Sequence, residues 1–347
     1  MDSKRTISDL RQRQSLPLSA KVSMTQSRIM EWVKGFGEDG VYVSFSGGKD
    51  STVLLHIVRQ MFPGIEAVFV DTGLEYPEIR QFVRQHENVT ILRPKIGFKD
   101  VICKYGYPVI GKEISQVISE ARKADHTGRY SYRLQRLNGT LKDKEGRKSA
   151  YCCEKYAPLV NSDFLVSNKC CLIMKERPAK KYENKFEKVP IVATMAEESR
   201  ARVQAWIKSG CNAFESKRQI SKPMSFWTEQ DVLQYIKENN IEICSVYGDI
   251  VPEGGQMVFD GMPCKLCTTG YDRTGCVFCG YGAHLEKGEG RFQRLKRTHP
   301  KLYDYCIGGG AYDPEDGLWK PDKNGLGMAH VFDELNKLYG ENFIRYK

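Results

Sequence analysis

The segment that most constrains this chain lies near its start. A short β-prone run, Val41-Tyr42-Val43-Ser44-Phe45, leads into Ser46-Gly47-Gly48-Lys49-Asp50-Ser51 and then into a helical stretch, Asp50–Met61. Adjacent glycines let the backbone approach a ligand closely, and free N–H groups at a helix start point toward it, so the segment reads as an anion cradle. Ser46, Ser51 and Lys49 add hydroxyl and ammonium donors for phosphate oxygens. Because the two glycines abut, this is not the G-x-x-x-x-G-K-[ST] loop. The strand-then-helix order repeats. Ile65–Val70 precedes a helix from Pro77 to His86, Val89–Leu92 is a third strand, and the alternation resumes at Val189–Thr194 and Glu197–Lys208. Such alternation predicts an α/β fold with a parallel, doubly wound sheet.

Around that frame the chain divides, on this reading, into a basic arm over 1–25, an α/β nucleotide-binding domain over 26–245 and a cysteine-containing lobe over 246–347. Residues 1–24 show no strong period. Trp227-Thr228-Glu229-Gln230-Asp231 predicts a helix start, with Thr228 as N-cap and Asp231 closing a capping box, and the helix runs to about Asn239. Arg291–Thr298 and Met328–Leu338 are helix candidates in the last lobe. A basic insertion covers about 121–155. It holds ten basic and four acidic residues and supplies six of the ten net positive charges of the chain. It reads either as a solvated loop or as a surface for a polyanion, nucleic acid included. No apolar run approaches the roughly 18 residues of a spanning helix, so a membrane protein is not expected. Without an export segment, a cytoplasmic location is expected.

Twelve cysteines in a cytoplasmic setting stay reduced and point to metal or redox chemistry when clustered. Cys152-Cys153, Cys170-Cys171, Cys264/Cys267 and Cys276/Cys279 form four pairs, whereas Cys103, Cys211, Cys244 and Cys306 read as small core residues. By spacing alone Cys264-x2-Cys267-x8-Cys276-x2-Cys279 is a local four-thiolate site that suits zinc as well as iron. His284 reads as a structural histidine or a residue beside the site.

The segment Ser46–Ser51 resembles the PP-loop of the ATP pyrophosphatase superfamily. Asp71-Thr72-Gly73-Leu74-Glu75-Tyr76-Pro77-Glu78 looks like the D-T-G-x-x-[FY]-P-E turn of its phosphoadenosine phosphosulfate (PAPS) reductase branch. The resemblance covers roughly residues 26–285. It implies a Rossmann-like parallel sheet of the adenine nucleotide alpha-hydrolase type, with the nucleotide held by Ser46, Gly47, Gly48, Lys49, Asp50, Ser51, Asp71, Thr72 and Gly73. Ala193–Arg202 is similar to G-x-R-x-x-[EQ]-S-x-x-R, keeping Ser199 and Arg202 but carrying Ala193 for the glycine and Met195 for the first arginine. Lys49 and Arg202 are the implied catalytic cations. Cys170-Cys171-Leu172-Ile173-Met174-Lys175-Glu176-Arg177-Pro178 and Gly270–Cys279 look like the two cysteine motifs of the iron–sulfur adenylyl-sulfate (APS) reductases. They imply a [4Fe–4S] cluster on Cys170, Cys171, Cys276 and Cys279 with Lys175 as a nearby cation, zinc being the rival.

In one respect the chain departs from those reductases. Their nucleophilic cysteine lies in an E-C-G-[LI]-H tail, and Glu341–Lys347 has none; Cys306 is a weak substitute. Three functions follow. The first is a PAPS-reductase-family enzyme that binds ATP, APS or PAPS and uses an iron–sulfur cluster in sulfur chemistry. The second is an ATP-dependent sulfurtransferase that adenylates and thiolates a nucleic acid, with a magnesium ion and a thiol or protein sulfur donor. The third is a non-catalytic nucleotide- or nucleic-acid-binding module. Nothing in the sequence assigns an oligomeric state.

Overall fold

The computed structural model describes residues 5–124, 127–255 and 265–347. The chain forms two compact units. The first comprises residues up to Asp71, Glu75–Arg93 and Pro178–Gly275; the second comprises Thr72–Leu74, Pro94–Arg177 and Cys276–Lys347. The expected boundary near 245 is therefore not where the chain divides, because the chain leaves the first unit after 93 and returns at 178.

The first unit is α/β. Its sheet holds β1 (Val41–Ser44), β2 (Ala67–Val70), β3 (Val89–Leu92), β4 (Val189–Val192), β5 (Asn212–Ala213) and β6 (Ile220–Ser221), in the order β3-β2-β1-β4-β6-β5. β1 pairs in parallel with β2 (Val43 opposite Ala67) and with β4 (Val41 opposite Val189, Ser44 opposite Val192). β2 and β3 are parallel, as are β4 and β6, while β5 runs antiparallel on the edge. Val41, Val43 and Ile191 are fully buried, as expected of strands covered on both faces. Between β1 and β2 runs the helix Lys49–Met61, whose Val53, Leu54, Ile57 and Val58 are buried.

Residues 1–25, read as an arm, are corrected by the structure. Among the described residues, helix α1 spans Ile7–Gln14 and helix α2 spans Leu18–Phe36. The buried face of α2 is Leu18, Lys21, Thr25, Ile29, Trp32 and Val33, a helical period in which two polar residues occupy core positions. Lys21 is admitted because its ammonium bonds both carboxylate oxygens of Asp231, at 2.8 and 2.7 Å. Thr25 is admitted because its hydroxyl accepts the Trp227 indole N–H at 2.8 Å. The helix Glu229–Glu238 begins as expected, its Thr228 side chain accepting from the Asp231 amide and the Asp231 carboxylate accepting from the Thr228 amide.

The second unit is mainly helical. Val109–Ile110 pairs in parallel with Gly280–Tyr281. Helices Phe98–Tyr105, Lys112–Ala121, Arg291–Thr298, Pro300–Ile307 and Met328–Tyr339 supply its core, including Phe292, Leu295, Phe332 and Leu335. Directly after Cys170-Cys171 the backbone makes a π-helical turn, Leu172–Glu176, a local widening that often accompanies functional sites. No helix among the described residues is long and apolar enough to cross a membrane.

Candidate functional site

Where β1 has β2 on one side and β4 on the other, the loops leaving their carboxyl ends diverge and open a crevice. A cleft of about 250 Å³ lies there in the first unit. Its lining includes Ser46, Gly48, Lys49, Asp50 and Ser51 after β1, Ala193 and Thr194 after β4, and Glu198, Tyr247, Arg273 and Thr274. Gly47 makes the turn possible: its φ is +71°, and a Cβ there would lie 2.7 Å from Val83 Cγ2 and 2.9 Å from Ile79 Cγ2. At Gly48 a Cβ would meet the Ser46 and Tyr247 hydroxyls, each at 3.2 Å.

The cradle is held by hydroxyls. Ser46 N–H donates to Ser51 Oγ at 3.1 Å, Gly48 N–H to Ser46 Oγ at 3.3 Å and Lys49 N–H to Tyr247 Oη at 3.2 Å, with Thr274 Oγ1 at 2.6 Å from that phenol. The amides of Asp50 and Ser51, early in the helix, have no intrahelical acceptor by geometry. Lys49 is 2% exposed. Its ammonium donates to the Asp272 carbonyl at 3.1 Å and sits 3.3 Å from Asp50 and 3.2 Å from Glu229. Burial works against its charge, but Asp50 and Glu229 outweigh it and the pKa is raised. Lys49 thus ties the loop to two neighbouring segments.

Ser199 caps the helix Arg200–Ser209, its hydroxyl accepting from Arg202 N–H at 3.3 Å. The Arg202 guanidinium pairs with Glu198, a cleft residue that also lies 3.7 Å from Arg273. Burial, then repulsion from Arg273, lowers the Arg202 pKa. Asp71 directly follows β2 and is clamped by Arg80 at 3.1 Å and Arg93 at 3.7 Å; it is not among the residues lining the cleft. Thr72 and Gly73 fall in the second unit, where the Thr72 hydroxyl accepts from Leu74 N–H at 3.2 Å. Tyr247, Arg273, Thr274 and Glu229 escaped the sequence reading. Arg273 and Thr274 stand in the Gly270–Cys279 segment, whose signal is its cysteines, and Tyr247 carries no signal.

Cys170, Cys171, Cys276 and Cys279 all belong to the second unit. The Cys170 and Cys171 sulfurs are 3.9 Å apart, Cys170 donating. That bond, helped by Lys112 and Lys175 and opposed by burial, lowers the Cys171 pKa to about 6. Cys170 is pushed up by the same bond, by burial and by Cys171, Cys279 and Cys276. Cys279 is raised to about 11, by burial and then by Cys276. A C-x-x-C turn is closed by Cys279 N–H donating to the Cys276 carbonyl at 3.0 Å. Tyr281, raised by burial and by three of these thiols, donates to Ser167 O at 2.9 Å. The donor set suits a thiophilic metal or an iron–sulfur cluster: four thiols from two segments, one held toward thiolate beside two lysines. Among the described residues no group of three or more His, Cys, Asp or Glu is set out as a metal-ion site.

Of the rival quartet, Cys264 lies outside the described residues and Cys267 sits on the strand Leu266–Thr268 of the first unit. Cys306 is fully buried, donates to Met328 Sδ at 3.4 Å and has its pKa raised by burial, as befits a core thiol. His284 stacks on Phe343, ring centroids 4.9 Å apart.

A curated relative, the uncharacterized protein MJ0973 of Methanocaldococcus jannaschii, is 22% identical over 268 residues, 77% of this chain and 46% of its own length. The chain thus spans about half the length of the curated relative it matches. A solved PAPS reductase from Candida auris, a phosphate complex, aligns with 15% identity and a TM-score of 0.36 over 71% of this chain and 92% of that one. The phosphoadenosine phosphosulfate reductase domain family matches residues 40–109 and 124–281. Those ranges take in the 46–51 loop, Asp71–Gly73, Ser199–Arg202, Cys170, Cys171, Cys276 and Cys279. This chain therefore belongs to the phosphoadenosine phosphosulfate reductase domain family, whose chemistry is that of sulfur and nucleotides.

Proposed function

We propose that the chain is an enzyme that binds an adenine nucleotide in the cleft beyond β1 and β4 and carries a [4Fe–4S] cluster on Cys170, Cys171, Cys276 and Cys279 for sulfur chemistry. The observation that carries this is the hydroxyl-lined cradle at the switch point of a parallel sheet, the place where such sheets take their ligands. Ser46, Ser51 and the early amides of the helix Lys49–Met61 bind the phosphoryl or sulfuryl oxygens. Lys49 keeps the loop in shape and adds positive field, and Arg202 with Arg273 faces the anion from the rim once Glu198 releases them. Asp50 lines the cleft and suits a magnesium ion that accompanies ATP. When bound, the cluster would tune the electrostatics of the sulfur step, held by the four thiolates with Lys112 and Lys175 balancing its charge.

A second reading is ATP-dependent thiolation of a nucleic acid, favoured by the exposed basic residues of 127–155. An acceptor oxygen would attack the α-phosphorus of ATP, pyrophosphate would leave, and a sulfur nucleophile would then displace AMP.

The test is anaerobic purification with iron and sulfide analysis, followed by nucleotide binding and two assays. Sulfite from APS or PAPS with a thiol donor supports the reductase reading. Pyrophosphate release from ATP, stimulated by nucleic acid, supports thiolation. Iron- and sulfide-free protein that binds no ATP, APS or PAPS refutes the proposal; nucleotide binding with neither activity leaves a binding module.

A further inference from the structure

The segment 127–155 of the second unit has features that neither the cleft nor the thiols explain. We infer that the surface formed by residues 127–155 binds single-stranded nucleic acid, with Tyr132 and Tyr151 as stacking platforms for unpaired bases and Lys142 and Lys144 as phosphate contacts. This deepens, and rests on, the nucleic-acid reading above.

The platforms are exposed and yet held. Tyr151 is 64% exposed. Its carbonyl accepts from Arg136 Nε at 2.7 Å, its amide donates to Ser149 Oγ at 3.2 Å, and the Arg136 guanidinium lies 5.8 Å from its ring. Arg136 is itself buried and paired with Glu113 at 2.8 Å. Tyr132, 47% exposed, stands in the first turn of the helix Ser131–Leu137, with Arg133 at 5.5 Å from its ring and anchored on Glu120. The residue before that helix, Tyr130, has φ +63°, a conformation that disfavours a bulky side chain, and Arg129 lies 5.0 Å from its ring. A solvent-facing ring costs free energy unless something covers it, and a tyrosine whose backbone is already anchored by a buried arginine loses less entropy on stacking than one on a loose loop.

The charges are arranged separately. Lys142 and Lys148 pair across an antiparallel bridge, and the turn between them is closed by Asp143, which accepts from the amides of Glu145 at 3.0 Å and Arg147 at 2.9 Å. Arg147 is held by Asp143 and Glu145, and Lys148 by Glu154. Lys142 and Lys144 are exposed and make no ion pair among the described residues. Lysines alone would suit any polyanion. Lysines on the same segment as exposed aromatic rings suit one whose bases are unpaired, because a duplex hides its base faces.

The experiment uses the full chain and labelled oligonucleotides of roughly 12 nucleotides, within the footprint of single-strand binders, as DNA, RNA and duplex, read by fluorescence anisotropy over a salt series. Single strands bind tighter than duplex. Tyr132→Ala and Tyr151→Ala each weaken single-strand binding by about 5- to 100-fold with the salt slope unchanged, while the Phe variants at both positions bind as wild type. Lys142→Gln with Lys144→Gln flattens the slope by roughly two contacts. Duplex bound as tightly as single strand, alanine variants equal to wild type, or no binding at low salt would each overturn the inference. Circular dichroism and urea denaturation of the same variants report their folding. If single strands bind but stimulate no pyrophosphate release, the thiolation reading fails and the surface stands; stimulated release that the tyrosine variants leave intact sinks the surface alone.

Discussion

Gly47 and Gly73 offer a matched pair for testing how the cradle is built. Both have left-handed backbone, φ +71° and +75°, so any L-residue at either position incurs the same backbone cost of roughly 1–2 kcal/mol. Their surroundings differ. A Cβ on Gly73 meets nothing within 4 Å, whereas on Gly47 it lands 2.7 Å from Val83 Cγ2 and 2.9 Å from Ile79 Cγ2. Ile79 is 2% exposed and Val83 fully buried, so neither can swing into solvent, and overpacking of this kind adds about 1–3 kcal/mol. Gly47→Ala should therefore destabilise its unit by about 2–5 kcal/mol, and Gly73→Ala by about 1–2 kcal/mol. Urea denaturation of each variant, read as the change in midpoint at constant slope, measures both. Because the strain in Gly47→Ala is relieved by shifting the loop, ATP affinity should also fall by an order of magnitude or more, as misplacing a cradle by about 1 Å does. Equal destabilisation by the two substitutions would refute the account of why a glycine stands at 47. Unchanged ATP affinity in a folded Gly47→Ala protein would refute the placing of the nucleotide.

Removing the Lys21 ammonium with Lys21→Ala leaves the Asp231 carboxylate buried without its counter-ion, held among the described residues only by Thr228, and should cost about 3–5 kcal/mol in urea denaturation; a loss below about 1 kcal/mol would mean the pair contributes no more than a surface ion pair. Tyr247→Phe should cost about 1–3 kcal/mol by orphaning the Lys49 amide, and a double-mutant cycle with Thr274→Val should be non-additive, since the two hydroxyls share a hydrogen bond; strict additivity would contradict that. Glu66 is destabilised as a carboxylate by burial but stabilised more by Lys188, Thr90 and Tyr182, so its folded pKa lies below the ordinary 4.5. Its contribution is complete above pH 4.5 and is lost as pH falls through the folded value, so Glu66→Gln should flatten the acid limb of a stability–pH curve. An acid limb as steep in the variant as in wild type would show that other carboxylates set it.

Some of this was legible in the residues and some was hidden by identifiable physics. The turn at Gly47, the positions of the longer strands and the Thr228–Asp231 capping box were readable because each is local: turn glycines, a short apolar run and a cap three residues apart settle their own backbone. Helix α2 was missed from 18 to 25 because Lys21 and Thr25 stand at its core positions, and polar residues there erase the apolar period. They are tolerated only because Asp231 and Trp227 arrive from more than two hundred residues away. Lys49 looked like a free phosphate-neutralising cation. Its three oxygen partners, on Asp50, Glu229 and Asp272, show it spending much of its charge inside the protein. Tyr247 had no sequence signature, since a phenol aimed at a backbone amide leaves no spacing rule behind.

What the amino-acid sequence determined by itself is the local grammar: a strand ending in Ser46-Gly47-Gly48, alternating strands and helices, and pairs of thiols at fixed short spacings. Tertiary structure alone decided which strands are neighbours, that the chain passes between two units at 72–74 and again after 93, 177 and 275 rather than dividing once near 245, and that Cys170-Cys171 and Cys276/Cys279 fall in the same unit. The physical reason is range. Turns, caps and periodicity act over a few residues, whereas burial of a lysine and closure of a cleft depend on groups that only folding brings together.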